Sequence, residues 1–377
     1  MTDIIPFRAI RYNKKNISGL ICPPYDIISP SEKKLYLKKN PYNAVRIELP
    51  EDYQSAKKNF DLWLSKKVLI RDTHPSFYIY EQNFKFEGKK YVRSGFLALL
   101  KTEQFGKNIF PHEKTLSKPK QDRLNLLKRT RINTSPIFCL FSDRKKMFSK
   151  ITEKIKRQSP TEFARFSDIS EKMWAVSDEK TINFLKIILI NNKILIADGH
   201  HRYETFFEFT KPLLKNPLGG AGLTSGGYIL TFLCPFESKG LLVLPTHRLV
   251  KNWTEKDTQK LKGFFCSPGT DKKWDFKFYI NGRFYYLKVP KKYKGLSIEF
   301  LHSVILENKK VEYTKNENCA LRSVDKGDFS ACVILKSLSV DTLKSVIKKR
   351  KLLPPKSTYF YPKVSTGFVF NEIVACK

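Results

Sequence analysis

Histidine, methionine and tryptophan are scarce in this chain, with 6 His, 3 Met and 4 Trp among 377 residues. No apolar run approaches the roughly 18–20 residues that a membrane-crossing helix needs. The longest, 184–190 and 229–234, are strand-sized. The opening stretch MTDIIPFRAIRYNKK lacks the basic, apolar and small-residue succession of a secretory signal. The 7 Cys, at 22, 139, 234, 266, 319, 332 and 376, form no C-x-x-C pair and are odd in number. A disulfide framework or a structural zinc site is therefore not expected, and neither is any other metal site built from these side chains. The expectation is reduced thiols, several of them buried, in a cytoplasmic protein. Three nucleotide-handling signatures are also missing: the G-x-x-x-x-G-K-[ST] loop, the G-x-G-x-x-G fingerprint and the kinase H-R-D. Any nucleotide must be held by a different device.

What is present reads as globular. Hydrophobic residues make up 41% of the chain, with 20 Pro and 17 Gly, which excludes wholesale disorder and a collagen-like fibre. At roughly 100–200 residues per domain the length allows one large domain or two to three ordinary ones. Acidic residues are few: 70 Lys and Arg stand against 36 Asp and Glu, an excess of 34 positive charges. Such an excess suits a polyanion partner, a phosphate-rich ligand or a bias of composition. Its lysines are dispersed, with short clusters at 144–146, 291–292 and 348–351 and no run longer than five like charges. A nucleic-acid partner is not expected on that pattern, and no membrane association is expected either.

Periodicity and turn residues imply an α+β fold of mixed sheets with hairpins and flanking helices. Helices are expected at 31–40, with Ser31 as N-cap, at 53–66, at 120–130 with Leu124, Leu127 and Lys128 on one face, from 203, and at 340–349. Alternation at 76–86 and 91–100 about Glu87-Gly88 predicts a hairpin. A second hairpin is expected from 184–190 and 193–197 about Asn191-Asn192. Further strands are expected at 137–141, 229–233, 240–244, 277–280 and 284–289. Residues 142–180 read as an inserted helical element or surface decoration, and 211–227 as a loop and candidate lid.

Five segments carry chemistry. In ILIADGHHRYET, at 194–205, an apolar strand runs through Asp198 and Gly199 into His200, His201 and Arg202 and then a helix. Glycine permits close backbone approach to a ligand, and the N–H groups of a helix start form an anion site with the macrodipole behind them. Two imidazoles and a guanidinium add donors suited to phosphate oxygens. A capped turn with surface histidines is the plainer alternative. Pro111-His112-Glu113-Lys114-Thr115 offers a general base. Leu116 stands where a zincin needs its second histidine, so H-E-x-x-H zinc chemistry is not expected. In LPPKSTYFYPK, at 353–363, Lys356, Ser357 and Thr358 suit a phosphate or carboxylate, though a charged loop would look the same. His247 and Arg248 in LPTHRL, at 244–249, form another candidate anion contact, and Cys22-Pro23-Pro24-Tyr25-Asp26 is a rigid turn offering Tyr and Asp. Four of the six histidines, His112, His200, His201 and His247, fall in these segments, without metal-ligand spacing.

At ADGHHR the chain resembles the ParB/sulfiredoxin-like superfamily, whose phosphate-binding element is a strand, a Gly-containing turn with His or Arg, and a helix. Within it, the Pro-His-Glu segment, the Asp-Gly-His-x-Arg turn and the late Pro-Lys-Ser-Thr segment resemble the free L-serine kinases. Over nearly its whole length, through PPYD at 23–26, PHEKT at 111–115, SPIF at 135–138, ADGHHRYET at 197–205, LPTHR at 244–248 and PPKSTYFYPK at 354–363, the chain resembles the domain-of-unknown-function family 1015. The resemblance implies a ParB/sulfiredoxin-like nucleotide-binding core at 106–250 with an insertion near 142–180. It implies flanking regions at 1–105 and 251–377, the latter completing the site.

The activity so implied is phosphoryl transfer from ATP or ADP, with Mg²⁺, to the hydroxyl of free L-serine. Glu113 would be the general base beside His112. Asp198, Gly199, His200, His201 and Arg202 would hold the donor's phosphates. Lys356, Ser357 and Thr358 would bind the acceptor's carboxylate or the phosphate product, with His247 and Arg248 as secondary contacts. The competing reading is a ParB-like nucleotide-dependent DNA-binding or regulatory protein, against which stands the lack of a helix-turn-helix and of a basic stripe. Sulfiredoxin-like redox repair needs a cysteine where His200 and His201 stand.

Overall fold

The structure, a computed structural model, describes residues 1–115, 117–215, 227–266 and 274–373. The chain forms two compact units. The first comprises Met1–Pro111, Thr115–Leu241 and Pro362–Lys377, and the second His112–Lys114 and Leu242–Tyr361. This differs from three consecutive regions divided near 105 and 250. The reason is strand pairing: Lys89–Lys101, from the first hundred residues, lies beside Tyr228–Pro235, and Asn371–Glu372 returns to pair with Ile132–Asn133.

The first unit is built on a nine-stranded mixed sheet. Its order is Ile109–Phe110, Ile194–Asp198, Ile137–Phe141, Tyr228–Pro235, Lys89–Lys101, Phe77–Phe86, Ile169–Val176 and Glu162–Phe166, with Ile4–Ile5 also on Lys89–Lys101. The expected hairpin Phe77–Phe86 and Lys89–Lys101 is present, and Glu87 and Gly88 at its tip take positive φ, 46° and 76°. Helices Met147–Lys156, Glu179–Leu189 and His200–Lys215 cover one face. Phe148, Leu185, Leu189, Tyr203 and Phe206 join Ile79, Phe96, Ile137 and Ile196 in one buried core. Each large apolar side chain so buried contributes about 1.5–3 kcal/mol.

Several sequence expectations are corrected here. Residues expected as the first strand of a second hairpin belong to the helix Glu179–Leu189. Ile182, Leu185 and Leu189 face inward at helical spacing, and Asp178 caps the start by accepting from the Thr181 N–H at 2.8 Å. The apolar run there has helical period and was long enough to pass for a strand. The stretch 142–180 is not decoration. After one helix it supplies Glu162–Phe166 and Ile169–Val176, which extend the main sheet and bury Met173 and Trp174. The first helix, Pro30–Lys39, is capped by Ser29 rather than Ser31, in a capping box with Glu32 and with Pro30 in its first turn. The helix Ser117–Thr130 buries Arg123, Leu126, Leu127 and Thr130 and leaves Lys128 exposed. Of the candidate lid at 211–227, residues 211–215 finish the helix His200–Lys215, and 216–226 lie outside the described residues.

The second unit is α+β as well. Its antiparallel sheet runs Arg283–Leu287, Phe276–Ile280, Ala331–Leu335, His247–Val250 and Val311–Thr314. The helix Glu317–Asp325 packs Ala320 and Val324 against Leu249, Cys332 and Ile334. A separate pair, Leu242–Leu244 with Tyr359–Tyr361, fixes the end of the late Pro-Lys-Ser-Thr segment. Among the described residues, Cys22, Cys139, Cys234 and Cys332 are buried free thiols. No described helix is long and apolar enough to cross a membrane.

Candidate functional site

In the first unit the chemistry gathers at the end of the strand Ile194–Asp198. Its apolar residues Ile194, Leu195, Ile196 and Ala197 are buried. The pairing with Ile137–Phe141 then shifts register between Ile196 and Asp198. Such a bulge re-aims the side chains that follow it. Gly199 takes φ +90°, and a Cβ there would lie 2.9 Å from Ile137 Cγ2 and 3.1 Å from the Arg202 guanidinium. Both backbone conformation and space therefore require glycine. The helix begins at His200, so the N–H groups at its start are presented at this turn. His200 is buried and His201 half-buried.

Arg202 is the hub of the turn. It donates to Ser135 Oγ at 3.0 Å, to the Pro136 carbonyl at 2.6 Å and to Asp198 Oδ2 at 2.8 Å. Burial works against its charge, but the carboxylates of Asp198, Asp26 and Glu48 outweigh that and hold its pKa above the ordinary arginine value. Asp198 Oδ1 is taken by the Lys363 ammonium. Buried Glu48 accepts from the Tyr25 N–H at 3.1 Å, from Ser135 Oγ at 3.0 Å and from Thr134 Oγ1. Arg123 stacks its guanidinium 4.0 Å from the Tyr25 ring centroid and donates to the Glu48 carbonyl. Four of the sequence motifs, PPYD, SPIF, ADGHHR and the end of PPKSTYFYPK, thus meet around one guanidinium. The residues sequence reasoning missed are Glu48, Arg123 and Lys363. Lys363 stood inside a recognised motif, whereas Glu48 and Arg123 carry no local signal. Further along the helix His200–Lys215, an open cavity of about 830 Å³ is lined by Glu204, Phe207 and Lys211 of that helix and by Phe105, Lys120 and Leu124, among others. That volume is within the range of small-molecule sites.

In the second unit His112–Lys114 runs beside Leu353. The Leu353 N–H donates to the His112 carbonyl at 2.8 Å, and the Lys114 N–H donates to the Leu353 carbonyl at 3.1 Å. This pairing places the fully buried His112 ring nitrogen Nε2 2.7 Å from Thr358 Oγ1. Glu113 Oε2 accepts from the Ser357 N–H at 3.2 Å and lies 4.0 Å from His112 Nε2. Ser357 Oγ donates to the Pro354 carbonyl at 2.6 Å, so its hydroxyl shapes the loop. Lys356 has φ +55°, a left-handed conformation that a non-glycine residue adopts at some cost, and such strain concentrates at functional loops. His112, Glu113, Ser357 and Thr358 are therefore brought together, with Lys356 on the same loop.

As expected, His247 and Arg248 follow an apolar strand, Leu242–Leu244, and they open the next one, His247–Val250. His247 Nδ1 accepts from the Leu335 N–H at 3.2 Å and so ties two strands together. Arg248, fully buried, donates to His302 Nε2 at 3.1 and 3.0 Å and to the Thr246 carbonyl, with its guanidinium 5.1 Å from the Tyr313 ring centroid. Burial pulls Arg248 down to about 10, opposed by Tyr313 and Glu113. Arg248 senses the Glu113 carboxylate. His302 and Tyr313 were not foreseen.

Burial pushes both His247 and His302 down to about 4 from an ordinary value near 6.5. Between about pH 6.5 and 4 the unfolded chain then binds more protons than the folded one, so stability falls as the pH is lowered through that window. His302→Gln keeps an oxygen acceptor for Arg248 without a titrating ring. Thermal unfolding from pH 7 to 4 is expected to show a shallower loss in this variant than in the wild type. An unchanged slope would contradict a neutral His302 beside Arg248.

A family model described as protein of unknown function (DUF1015) matches residues 4–325. No curated protein matches the sequence. Among solved structures, a free serine kinase in complex with AMP is 12% identical, with 71% of this chain and 88% of that chain covered and a TM-score of 0.41. SbnI with a C-terminal truncation, from Staphylococcus aureus, is 10% identical, with 72% and 85% covered and a TM-score of 0.43. A conserved hypothetical protein from Pyrococcus furiosus is 14% identical, with 69% and 92% covered and a TM-score of 0.38.

Proposed function

For a chain that belongs to the DUF1015 family of proteins of unknown function, we propose a small-molecule kinase that uses ATP or ADP and phosphorylates the hydroxyl of free L-serine. The observation that carries this reading is the Asp198-Gly199 turn. It combines a bulge, an obligatory glycine, a helix start and buried cations where a phosphate chain needs fixed donors and charge. The backbone N–H groups at the start of the helix, with His200 and His201, bind the phosphates. Arg202, whose bonds go to Asp198, Ser135 and Pro136, holds the turn in shape. The cavity further along the same helix, at Glu204, Phe207 and Lys211, takes the rest of the nucleotide.

Glu113 accepts the proton of the serine hydroxyl as its oxygen attacks the terminal phosphorus. The bond from that phosphorus to the bridging oxygen breaks, and AMP or ADP leaves with the electron pair. Catalysis of this type is chiefly positioning and charge neutralisation. The Ser357 N–H and the His112–Thr358 pair set the direction of the carboxylate. Lys356 and Arg248 supply positive charge for the acceptor's carboxylate. Among the described residues no cluster of three His, Cys, Asp or Glu side chains is arranged to hold a metal. Mg²⁺ would therefore come with the nucleotide, held largely by phosphate oxygens and water.

The direct test incubates the purified chain with ATP or ADP, Mg²⁺ and a panel of amino acids, followed by phosphorus NMR and mass spectrometry. O-phosphoserine with AMP from ADP, or with ADP from ATP, is the expected outcome. Product from another alcohol and none from serine would keep the reaction class and remove the substrate.

A further inference from the structure

Lys363 is the one residue of the 362–365 segment whose side chain reaches the Asp198 turn, and an unusual amount of buried polar structure is devoted to placing it. Gln82 Nε2 donates to the Lys363 carbonyl at 3.0 Å, and Arg93 donates to the neighbouring Pro362 carbonyl. Gln82 is itself fixed. Its amide nitrogen donates to Glu171 Oε1 at 2.6 Å, and its oxygen accepts from Arg93 Nε at 3.1 Å. Glu171 Oε1 also accepts from Tyr80 Oη at 2.7 Å and from Ser365 Oγ at 3.0 Å. Gln82, Arg93 and Tyr80 are wholly buried and Glu171 is 1% exposed. Glu171 Oε2 is buried with no hydrogen-bond partner.

Burying a guanidinium and a carboxylate in this way is a poor route to stability, since packed apolar side chains of the same volume do as well or better. What such a network does provide is a fixed position for the backbone it grips. The gripped backbone is that of Pro362 and Lys363, and what it delivers to the turn is an ammonium. That ammonium has less than a tenth of its side chain exposed and rests on Asp198. Asp198 thereby carries a cation on each oxygen, Arg202 on one and Lys363 on the other. Arg202 is committed to Ser135 and Pro136 as well, whereas Lys363 reaches the turn on a flexible four-carbon stem that can swing from one anion to another.

We propose that Lys363 is a phosphate-contacting residue of the nucleotide site, held on Asp198 until a polyphosphate arrives, and that Gln82, Arg93 and Glu171 are its positioning residues. This rests on the reading of the turn as a phosphate site. Calorimetric titration of the full chain with pyrophosphate, ADP, ATP and adenosine tests it. Lys363→Met weakens pyrophosphate and ADP binding roughly tenfold to a hundredfold, the loss of a hydrogen bond to a charged group. Lys363→Arg recovers most of that, and adenosine binding is unchanged in both. Gln82→Met weakens pyrophosphate binding, and the double variant is no weaker than Lys363→Met alone, because both changes act through one ammonium. Equal affinity of wild type and Lys363→Met for pyrophosphate and ADP overturns the contact. Additive losses overturn the positioning role. A wild type that binds pyrophosphate but neither ADP nor ATP leaves Lys363 in an anion site and removes the kinase reading, and a wild type that binds none of them removes both.

Discussion

Glu113→Gln is expected to bind nucleotide as the wild type does and to lose turnover by roughly 10²–10⁴-fold, the range that a positioned general base supplies. The change conserves size and leaves an oxygen to accept from the Ser357 N–H, so the loop 353–358 keeps its contacts. What is lost is basicity at one oxygen, the atom proposed to take the serine proton. The measurement is a pair: nucleotide affinity by titration, and phosphoserine formation by phosphorus NMR under saturating substrate. Retained affinity with a collapsed rate assigns Glu113 to the chemical step. Near-normal turnover in the variant would remove it as the base, while leaving the proposal for the Asp198-Gly199 turn untouched.

Arg202→Met should destabilise the first unit by about 3–5 kcal/mol, the usual consequence of removing one partner from a buried ion pair. Three groups bond to this guanidinium, the Asp198 carboxylate, Ser135 Oγ and the Pro136 carbonyl, and the carboxylates of buried Glu48 and exposed Asp26 lie in its field. Methionine fills the volume and answers none of them. Arg202→Lys restores the charge but not the planar fork that reaches Ser135, Pro136 and Asp198 together, and so recovers only part of the loss. Urea unfolding followed by a tryptophan signal of the first unit, such as Trp174, gives the comparison. A variant as stable as the wild type would show that the Arg202 contacts only bridge a turn that folds without them.

The motif residues of the Asp198-Gly199 turn were legible because their requirements are local. Glycine at 199 is demanded by a positive φ and by the proximity of Ile137, and an apolar strand before it with a helix after it leaves a pattern within a dozen residues. Glu113, Ser357 and Thr358 were legible as candidates for the same reason, each in a short polar segment between apolar ones. Their mutual contact was not, since 244 positions separate Glu113 from Ser357. His247 illustrates the opposite case. Beside an arginine and after an apolar strand it looked like an anion contact, but it opens a second strand, His247–Val250, and its ring accepts from a backbone N–H there.

The elements show the same division. The Glu87-Gly88 hairpin and the helix Tyr53–Ser65 followed from turn chemistry and period alone. The run at 184–190 did not, because a short apolar stretch satisfies strand and helix equally, and here packing of Leu185 and Leu189 into the core decides for helix. The strands of 162–176 escaped notice because their polar, weakly alternating sequence becomes strand only by pairing with Phe77–Phe86. By itself, then, the sequence determined the α+β composition, the glycine-bearing turn and the list of chemically able residues, all of them properties of neighbours along the chain. Tertiary structure alone decided which of those residues share a site, why Glu48, Arg123 and Lys363 belong beside them, and how 377 residues divide into two interleaved units. Those outcomes depend on pairing and burial between distant segments, which no local pattern encodes.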